Sequence, residues 1–215
     1  DSIGVQASLS SVTDWGSYIT GIDIDVTEGE LTEDQADAFS PNQPAGIHYD
    51  YRVDATNAAL FGQVEVALSQ TVSLQAGLRS EISAYDYKTR APAGSVCAAE
   101  ASNCRFYRPE NRSDDFSNLS GNLSLIWAQG DHRYYVRTAL GFRAPQATEL
   151  YRLQAGQAVA DIDSEEAQSI DLGWRYQRGD FSSDVSVYSI ATDEVIFQDR
   201  DRQNVRGAST AHKGL

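Results

Sequence analysis

The sequence predicts an all-β protein, an antiparallel up-and-down transmembrane β-barrel segment of about eight strands. Three observations predict it. Apolar and polar side chains alternate at a period of two along most of the chain, the connections alternate between short and long, and charged residues keep to one phase of the alternation. Composition agrees with a folded chain: of 215 residues 41% are hydrophobic and 22% charged. Thirty-one acidic residues against 17 Lys and Arg give a net charge of −14, which repels a phosphate backbone and argues against nucleic acid as a partner. No run approaches the roughly 18 apolar residues of a helical membrane span. The chain contains no Met, position 1 included, so both of its ends are expected to be cuts in a longer protein.

Taken in order, the apolar phase is Ile3, Val5, Ala7 and Leu9, then Tyr18, Thr20, Ile22, Ile24 and Val26. It continues with Leu60, Val64, Val66 and Leu68, then Val72, Leu74, Ala76, Leu78 and Ile82. Residues 119–127 set Leu119, Leu123, Leu125 and Trp127 against Ser120, Asn122 and Ser124, with Ile126 the one exception. Residues 132–143 set Tyr134, Val136, Thr138, Leu140 and Phe142 against Arg133, Tyr135, Arg137, Ala139, Gly141 and Arg143. Residues 169–177 set Ile170, Leu172, Trp174 and Tyr176 against Asp171, Gly173 and Arg175, and residues 181–197 make an eighth strand.

Turn-forming residues join these strands tightly near Thr13-Asp14, Ser69-Gln70, Gly130-Asp131 and Gly179-Asp180. Long loops fall at about 28–57, 89–115 and 144–165, and another begins near Asp199. In a meander this order puts every short turn at one end and every long loop at the other, as in barrels with short periplasmic turns and long extracellular loops. A soluble β-sandwich also alternates, but it usually carries crossovers that would scatter the loop lengths. Charge placement separates the two. A charge at the lipid midplane costs about 2–4 kcal/mol, and the apolar phase is free of charge until His132 and Asp86 at strand ends, while Asp23, Asp25, Glu65, Arg79, Glu81, Arg133, Arg137, Asp171 and Arg175 crowd the other phase. Tyr18, Trp127, Tyr134, Phe142, Trp174 and Tyr176, toward strand ends, suit interfacial girdles.

The segment Gly141-Phe142-Arg143-Ala144-Pro145-Gln146-Ala147-Thr148-Glu149-Leu150-Tyr151-Arg152-Leu153 resembles the strand-to-loop segment of TonB-dependent outer-membrane receptors. Further pieces follow in family-like order: Leu60-Phe61-Gly62-Gln63, Leu74-Gln75-Ala76-Gly77-Leu78-Arg79, Phe116-Ser117-Asn118-Leu119-Ser120, Asp163-Ser164-Glu165-Glu166, Ile170-Asp171-Leu172-Gly173, Asn204-Val205 and His212-Lys213-Gly214-Leu215. The resemblance implies a barrel of about 22 strands in the bacterial outer membrane, with a plug and a TonB box, importing a scarce ligand on energisation by the TonB complex. Residues 1–215 are then expected to be a partial barrel domain without plug, the middle to later part of the wall. Lipid and lipopolysaccharide would surround it, and the TonB complex would act through the plug.

Within the loops, Cys97 and Cys104 have a spacing that a disulfide can close in an oxidising compartment. Arg105, Phe106, Tyr107, Arg108 and Arg112 gather three guanidiniums and two rings, a combination suited to an anionic iron chelate, or equally to lipopolysaccharide phosphates. His48, Tyr49, Arg143 and Tyr151 complete the candidate ligand contacts. Thr32 to Gln35 has the form of a capping box, which predicts a short loop helix at about 33–39, and Pro145 predicts another through about Tyr151. No cofactor or metal site is expected, since Asp161-Ile162-Asp163 lacks the glycine of a calcium loop. Transport of a ferric siderophore or similar iron complex is the favoured function. A soluble carbohydrate-binding sandwich is the alternative, and an outer-membrane barrel enzyme is disfavoured, because His48, His132 and His212 all lie away from mid-strand lumen positions.

Overall fold

The computed structural model describes residues 1–98, 104–154 and 156–215. Its strands are β1 (Ser2–Thr13), β2 (Gly16–Gln35), β3 (Gly46–Ala67), β4 (Val72–Thr89), β5 (Gly94–Ser95), β6 (Tyr107–Arg108), β7 (Arg112–Gln129), β8 (His132–Arg143), β9 (Glu165–Arg178), β10 (Phe181–Gln198) and β11 (Asn204–Gly214), with one helix, α1 (Ala147–Tyr151). Nine strands form one antiparallel sheet in the order β1-β2-β3-β4-β7-β8-β9-β10-β11, and β5 pairs with β6 inside the loop between β4 and β7. Every neighbour in the sheet is the next long strand in the chain, so the wiring is nearest-neighbour hairpins with no crossover. The sheet is open, with β1 and β11 at its edges.

The pairing register shows why the alternation reads as two solvents. Leu74, Leu125, Val136 and Leu172 lie side by side across four strands, and one rung further down Trp127, Tyr134 and Trp174 do the same. This flank is uncovered: Leu78 is 64% exposed, Leu172 55% and Val187 52%. A sandwich would have pressed these side chains against a second layer, so the soluble carbohydrate-binding alternative fails on this observation. An apolar band with no protein over it, on strands whose backbone groups are paired laterally, is compatible with hydrocarbon.

Aromatic rings border the band at the short-turn end. Trp127 stacks on Tyr134 at 5.3 Å, His132 lies 5.0 Å from Tyr176 and 6.0 Å from Trp174, and the Trp174 indole N–H donates to His132 Nδ1 at 3.1 Å. The ring with a nitrogen thus sits at the headgroup level, where an amphipathic side chain is favoured. At the loop end the same flank turns charged. Arg52 pairs with Glu28 at 2.9 Å and Asp54 at 2.8 Å, Lys88 with Asp86 at 2.7 Å, and Arg90 with Glu30 at 2.8 Å and Asp50 at 2.9 Å.

The opposite flank is polar along its lower half. Arg79 bridges Asp23 at 3.2 Å and Glu81 at 2.6 Å across three strands, and Arg175 meets Asp184 at 2.6 Å. Aromatics on this flank lie flat over neighbouring glycines: a Cβ on Gly173 would stand 2.1 Å from Tyr135, and one on Gly214 2.5 Å from Tyr188. Only glycine lets the ring cover the ladder so closely.

The buried core belongs to this polar flank, near the loop end. Tyr49, Tyr51 and Val53 of β3, Tyr87 of β4 and Phe116 of β7 pack against Phe106, Leu150, Tyr151, Leu153, Ala160 and Ile162, all from loops. The loop between β8 and β9 therefore folds inward as a roof. Its ties are specific: Tyr49 Oη donates to the Leu153 carbonyl at 2.6 Å, Tyr151 Oη donates to Asp114 at 2.8 Å, and Asn204 donates to the Glu149 carbonyl at 2.7 Å. Burial raises both phenols well above the ordinary tyrosine range, with the Asp114 bond adding to it at Tyr151, so each remains a donor. Arg143 clamps the roof from below, reaching Glu165 at 2.7 Å and Glu149 at 2.9 Å.

Three expectations are corrected here. The expected helix at 33–39 is absent, because β2 runs on to Gln35 and pairs residue by residue with β3 as far as Gly46. Thr32, the expected cap, bonds the Asp50 carboxylate at 3.3 Å instead. Twenty paired residues outweigh a capping box worth about 1 kcal/mol. For the same reason the loop expected at 28–57 shrinks to 36–45, and a ninth strand, β11, joins the eight that alternation reveals. The helix after Pro145 is present as α1, where Glu149 accepts the Gln146 backbone N–H at 2.7 Å.

The two-solvent sheet predicts opposite tolerances on one strand of the full-length protein. Leu172→Arg on the band should cost about 2–4 kcal/mol and lower the yield of heat-modifiable folded barrel in gel-shift assays, while Ser169→Arg on the polar flank should leave it near wild type. Acid should loosen the roof. The Arg143 hydrogen bonds, ahead of the Ile196 N–H, hold the Glu165 carboxyl below the usual range. A lowered folded pKa stabilises fully above the unfolded value of about 4.3 and is lost as pH falls through the folded one. Hydrogen exchange in residues 144–164, corrected for intrinsic rates, should therefore rise on acidification below about pH 4, and Glu165→Gln should bring that faster exchange to neutral pH.

Candidate functional site

The loop end holds the candidate site, since there the cleft lining comes from several separate connections, whereas the clefts along the wall are lined by strand residues alone. Cys97 and Cys104 are joined by a disulfide with Cα atoms 5.7 Å apart, closing a loop whose entropy in the unfolded chain would otherwise oppose order by about 2–3 kcal/mol. Next to the disulfide, the Arg105 N–H donates to the Asn42 carbonyl of the β2–β3 connection at 3.2 Å. Beneath it Phe106 stacks on His48, ring centroids 3.6 Å apart, and His48 Nε2 lies 2.8 Å from the Pro44 carbonyl, with Glu33 3.5 Å from Nδ1.

The structure sorts the nine candidate contacts into three groups. His48, Tyr49, Phe106 and Tyr151 are buried and serve the roof. Tyr107 and Arg108 pair with β5, Arg112 is ion-paired with Asp114, and Arg143 is clamped between Glu149 and Glu165. Arg105 alone of the nine is exposed, and it lines an open cleft of about 520 Å³. That size lies within the range of small-molecule sites.

The cleft is built by three connections. Ser40, Asn42 and Gln43 come from the β2–β3 loop, Cys104 and Arg105 from the disulfide loop, and Arg200, Asp201, Arg202 and Gln203 from the β10–β11 turn. β3 and β10 stand five places apart in the sheet, about 24 Å along its surface at the usual strand spacing. Their tips meet across that span to line one cleft at the loop end.

The β10–β11 turn is tightly bonded and leaves its arginines exposed. Asp199 N–H donates to the Gln203 carbonyl at 3.0 Å, the Arg202 N–H to the Asp199 carbonyl at 3.1 Å, and the Gln203 N–H to Asp199 Oδ1 at 2.9 Å. Arg202 accepts a left-handed backbone, φ 64°, in a place glycine would fill without strain. Sequence reasoning missed Arg200 and Arg202 because the run Asp199-Arg200-Asp201-Arg202 reads as a self-neutralising surface stretch. Nothing in the residue types sets this turn apart; its left-handed Arg202 is visible only in the structure.

A family model described as TonB dependent receptor-like, beta-barrel matches residues 2–214. No match was found among curated protein sequences. Among solved structures, the copper transporter OprC superposes with a TM-score of 0.70 at 17% identity over 99% of this chain and 33% of its own. The ferric yersiniabactin uptake receptor FyuA from Yersinia pestis gives a TM-score of 0.62 at 16% identity over 92% of this chain and 29% of its own. The Serratia marcescens hemophore receptor HasR, solved with its hemophore HasA and heme, gives 0.64 at 14% identity over 99% and 38%. The chain thus spans about a third of the length of these receptors, and at such identities they speak to the fold. The family match over nearly the whole chain speaks to descent: the chain belongs to the TonB-dependent receptor β-barrel family, whose members are transport receptors and not enzymes.

Proposed function

We propose that this chain is part of the wall and extracellular loops of an outer-membrane receptor that imports a scarce iron chelate, such as a ferric siderophore, with energy from the TonB complex. The observation that carries the proposal is the division of labour along one sheet: a lipid-compatible outer band, a hydrated inner flank and a loop-built cleft at one mouth. A ligand arriving from outside meets the cleft first and the roofed lumen next. Below the roof, the polar inner flank, with Arg79, Asp23 and Glu81 tied together and Arg133 and Arg137 free of ion pairs among the described residues, offers a wet path. Among the described residues no group of three His, Cys, Asp or Glu side chains could hold a bare metal ion, which favours a metal carried inside its chelator. Several matched receptors carry metal-bearing names, copper, ferric yersiniabactin and heme among them.

The receptor reading predicts that a strain lacking the full-length protein loses accumulation of one radiolabelled ferric chelate from a panel, that restoring the gene restores it, and that collapsing the proton gradient stops it. Unchanged accumulation of every chelate tested would reject the iron assignment. The protein should also fractionate with the outer membrane.

A further inference from the structure

We infer that the cleft between the β2–β3, disulfide and β10–β11 loops recognises a hydroxy-carboxylate group of the incoming ligand, held between the guanidiniums of Arg105, Arg200 and Arg202. The inference rests on the receptor reading above and names the chemistry that its outermost contact selects.

Three features of the cleft lead there. Its charge is opposite to that of the chain: among the described residues three arginines and one carboxylate, Asp201, line it in a protein of net charge −14. None of the three guanidiniums is engaged in an ion pair among the described residues, whereas Arg52, Arg79, Arg90, Arg112, Arg143, Arg152 and Arg175 each have a carboxylate partner. Arginines lining one cleft without carboxylate partners raise its positive potential, and Arg202 keeps its place in the turn with a left-handed backbone that costs strain. An anion shared between them offsets that potential. A planar guanidinium fork matches the two oxygens of a carboxylate.

The remaining lining selects among anions. Ser40, Asn42, Gln43 and Gln203 line it with hydroxyl and amide groups, and among the described residues no aromatic ring borders the cleft. Phe106, Tyr49 and Tyr151, which would have stacked on an aromatic chelator, are sealed in the roof. A catecholate would find no face to rest on, while hydroxyls beside a carboxylate would find donors and acceptors. A lipid phosphate is the other source of oxyanions near this rim. The outward flank that meets headgroups carries Glu28, Glu30, Asp50, Asp54 and Asp86 against Arg52, Lys88 and Arg90, so phosphates are repelled there.

The test uses the full-length receptor in detergent with citrate, free and as the ferric complex, followed by calorimetry. Wild type should bind both. Arg200→Gln with Arg202→Gln should weaken binding at least tenfold, and tenfold more salt should weaken wild-type binding in the same direction. Arg202→Gly, which relaxes the turn, should weaken binding while leaving thermal stability equal or higher. Equal citrate affinity in wild type and variants, or none in wild type, overturns the inference. So does arginine-dependent binding seen only with nanodiscs containing lipid A and never with citrate. Failure of the receptor reading shows differently: citrate bound through these arginines in a protein that accumulates no iron chelate keeps the site and removes the transport.

Discussion

One constraint governs this molecule: in hydrocarbon a strand must satisfy its backbone sideways and show no charge outward. The nine-stranded ladder meets the first requirement through nearest-neighbour hairpins, and the alternation of side chains meets the second. Once one flank is committed to lipid, the other must be polar, so ion pairs such as Arg79 with Asp23 and Glu81 collect where a soluble protein would place its core. Tyr135 over Gly173 and Tyr188 over Gly214 then supply packing on a wet surface that has few other apolar contacts.

The same constraint explains where the buried core went. The band leaves its apolar side chains to lipid, so protein-on-protein burial is possible only above it, and there the inner flank changes from charged residues to Tyr51, Val53 and Tyr87. The roof loop closes over them with Leu150, Tyr151 and Leu153. Two phenols of this layer find acceptors on neighbouring elements, Leu153 for Tyr49 and Asp114 for Tyr151, so the roof is fixed in direction as well as in area. Arg143, at the top of β8, joins wall to roof through two carboxylates drawn from opposite ends of the loop.

What the sequence made legible follows from these environments. Between Leu60 and Leu140 every strand has lipid on one side and water on the other, and period-two alternation records that contrast directly. Above the band both sides of the sheet are wet or roofed, so Glu28, Glu30 and Thr32 lie outward with Gly29, Leu31 and Glu33 inward, and nothing in the polarity marks a strand. That is why β2 looked like a loop with a capped helix. β11 was hidden similarly, its outward Ala211 and Lys213 carrying no apolar signature. The site divided along the same line. Residue types led to Arg105 and to the aromatics, but whether a ring contacts ligand or seals a roof depends on which loop covers it, and Leu153, 104 positions from Tyr49, is not visible from Tyr49. Arg200 and Arg202 matter through a meeting of turns five strands apart.

That meeting also accounts for how one acidic chain presents two electrostatic faces. Along the outward rim each cation is bound by a carboxylate on its own or an adjacent strand, Lys88 by Asp86 and Arg90 by Asp50. Pairs of this kind, exposed on a flat surface, contribute little stability, about 0–1 kcal/mol each, but they leave no free cation to hold a phosphate. Turns that converge at the loop end behave differently, because their tips depart from the ladder and lose strand neighbours that could neutralise them. Arg105, Arg200 and Arg202 are brought together from separate loops, and their charges have no register partner. A barrel mouth can therefore be cationic without changing the wall: the positive field arises from where the turns converge, and the acidic background around it narrows that field to the cleft.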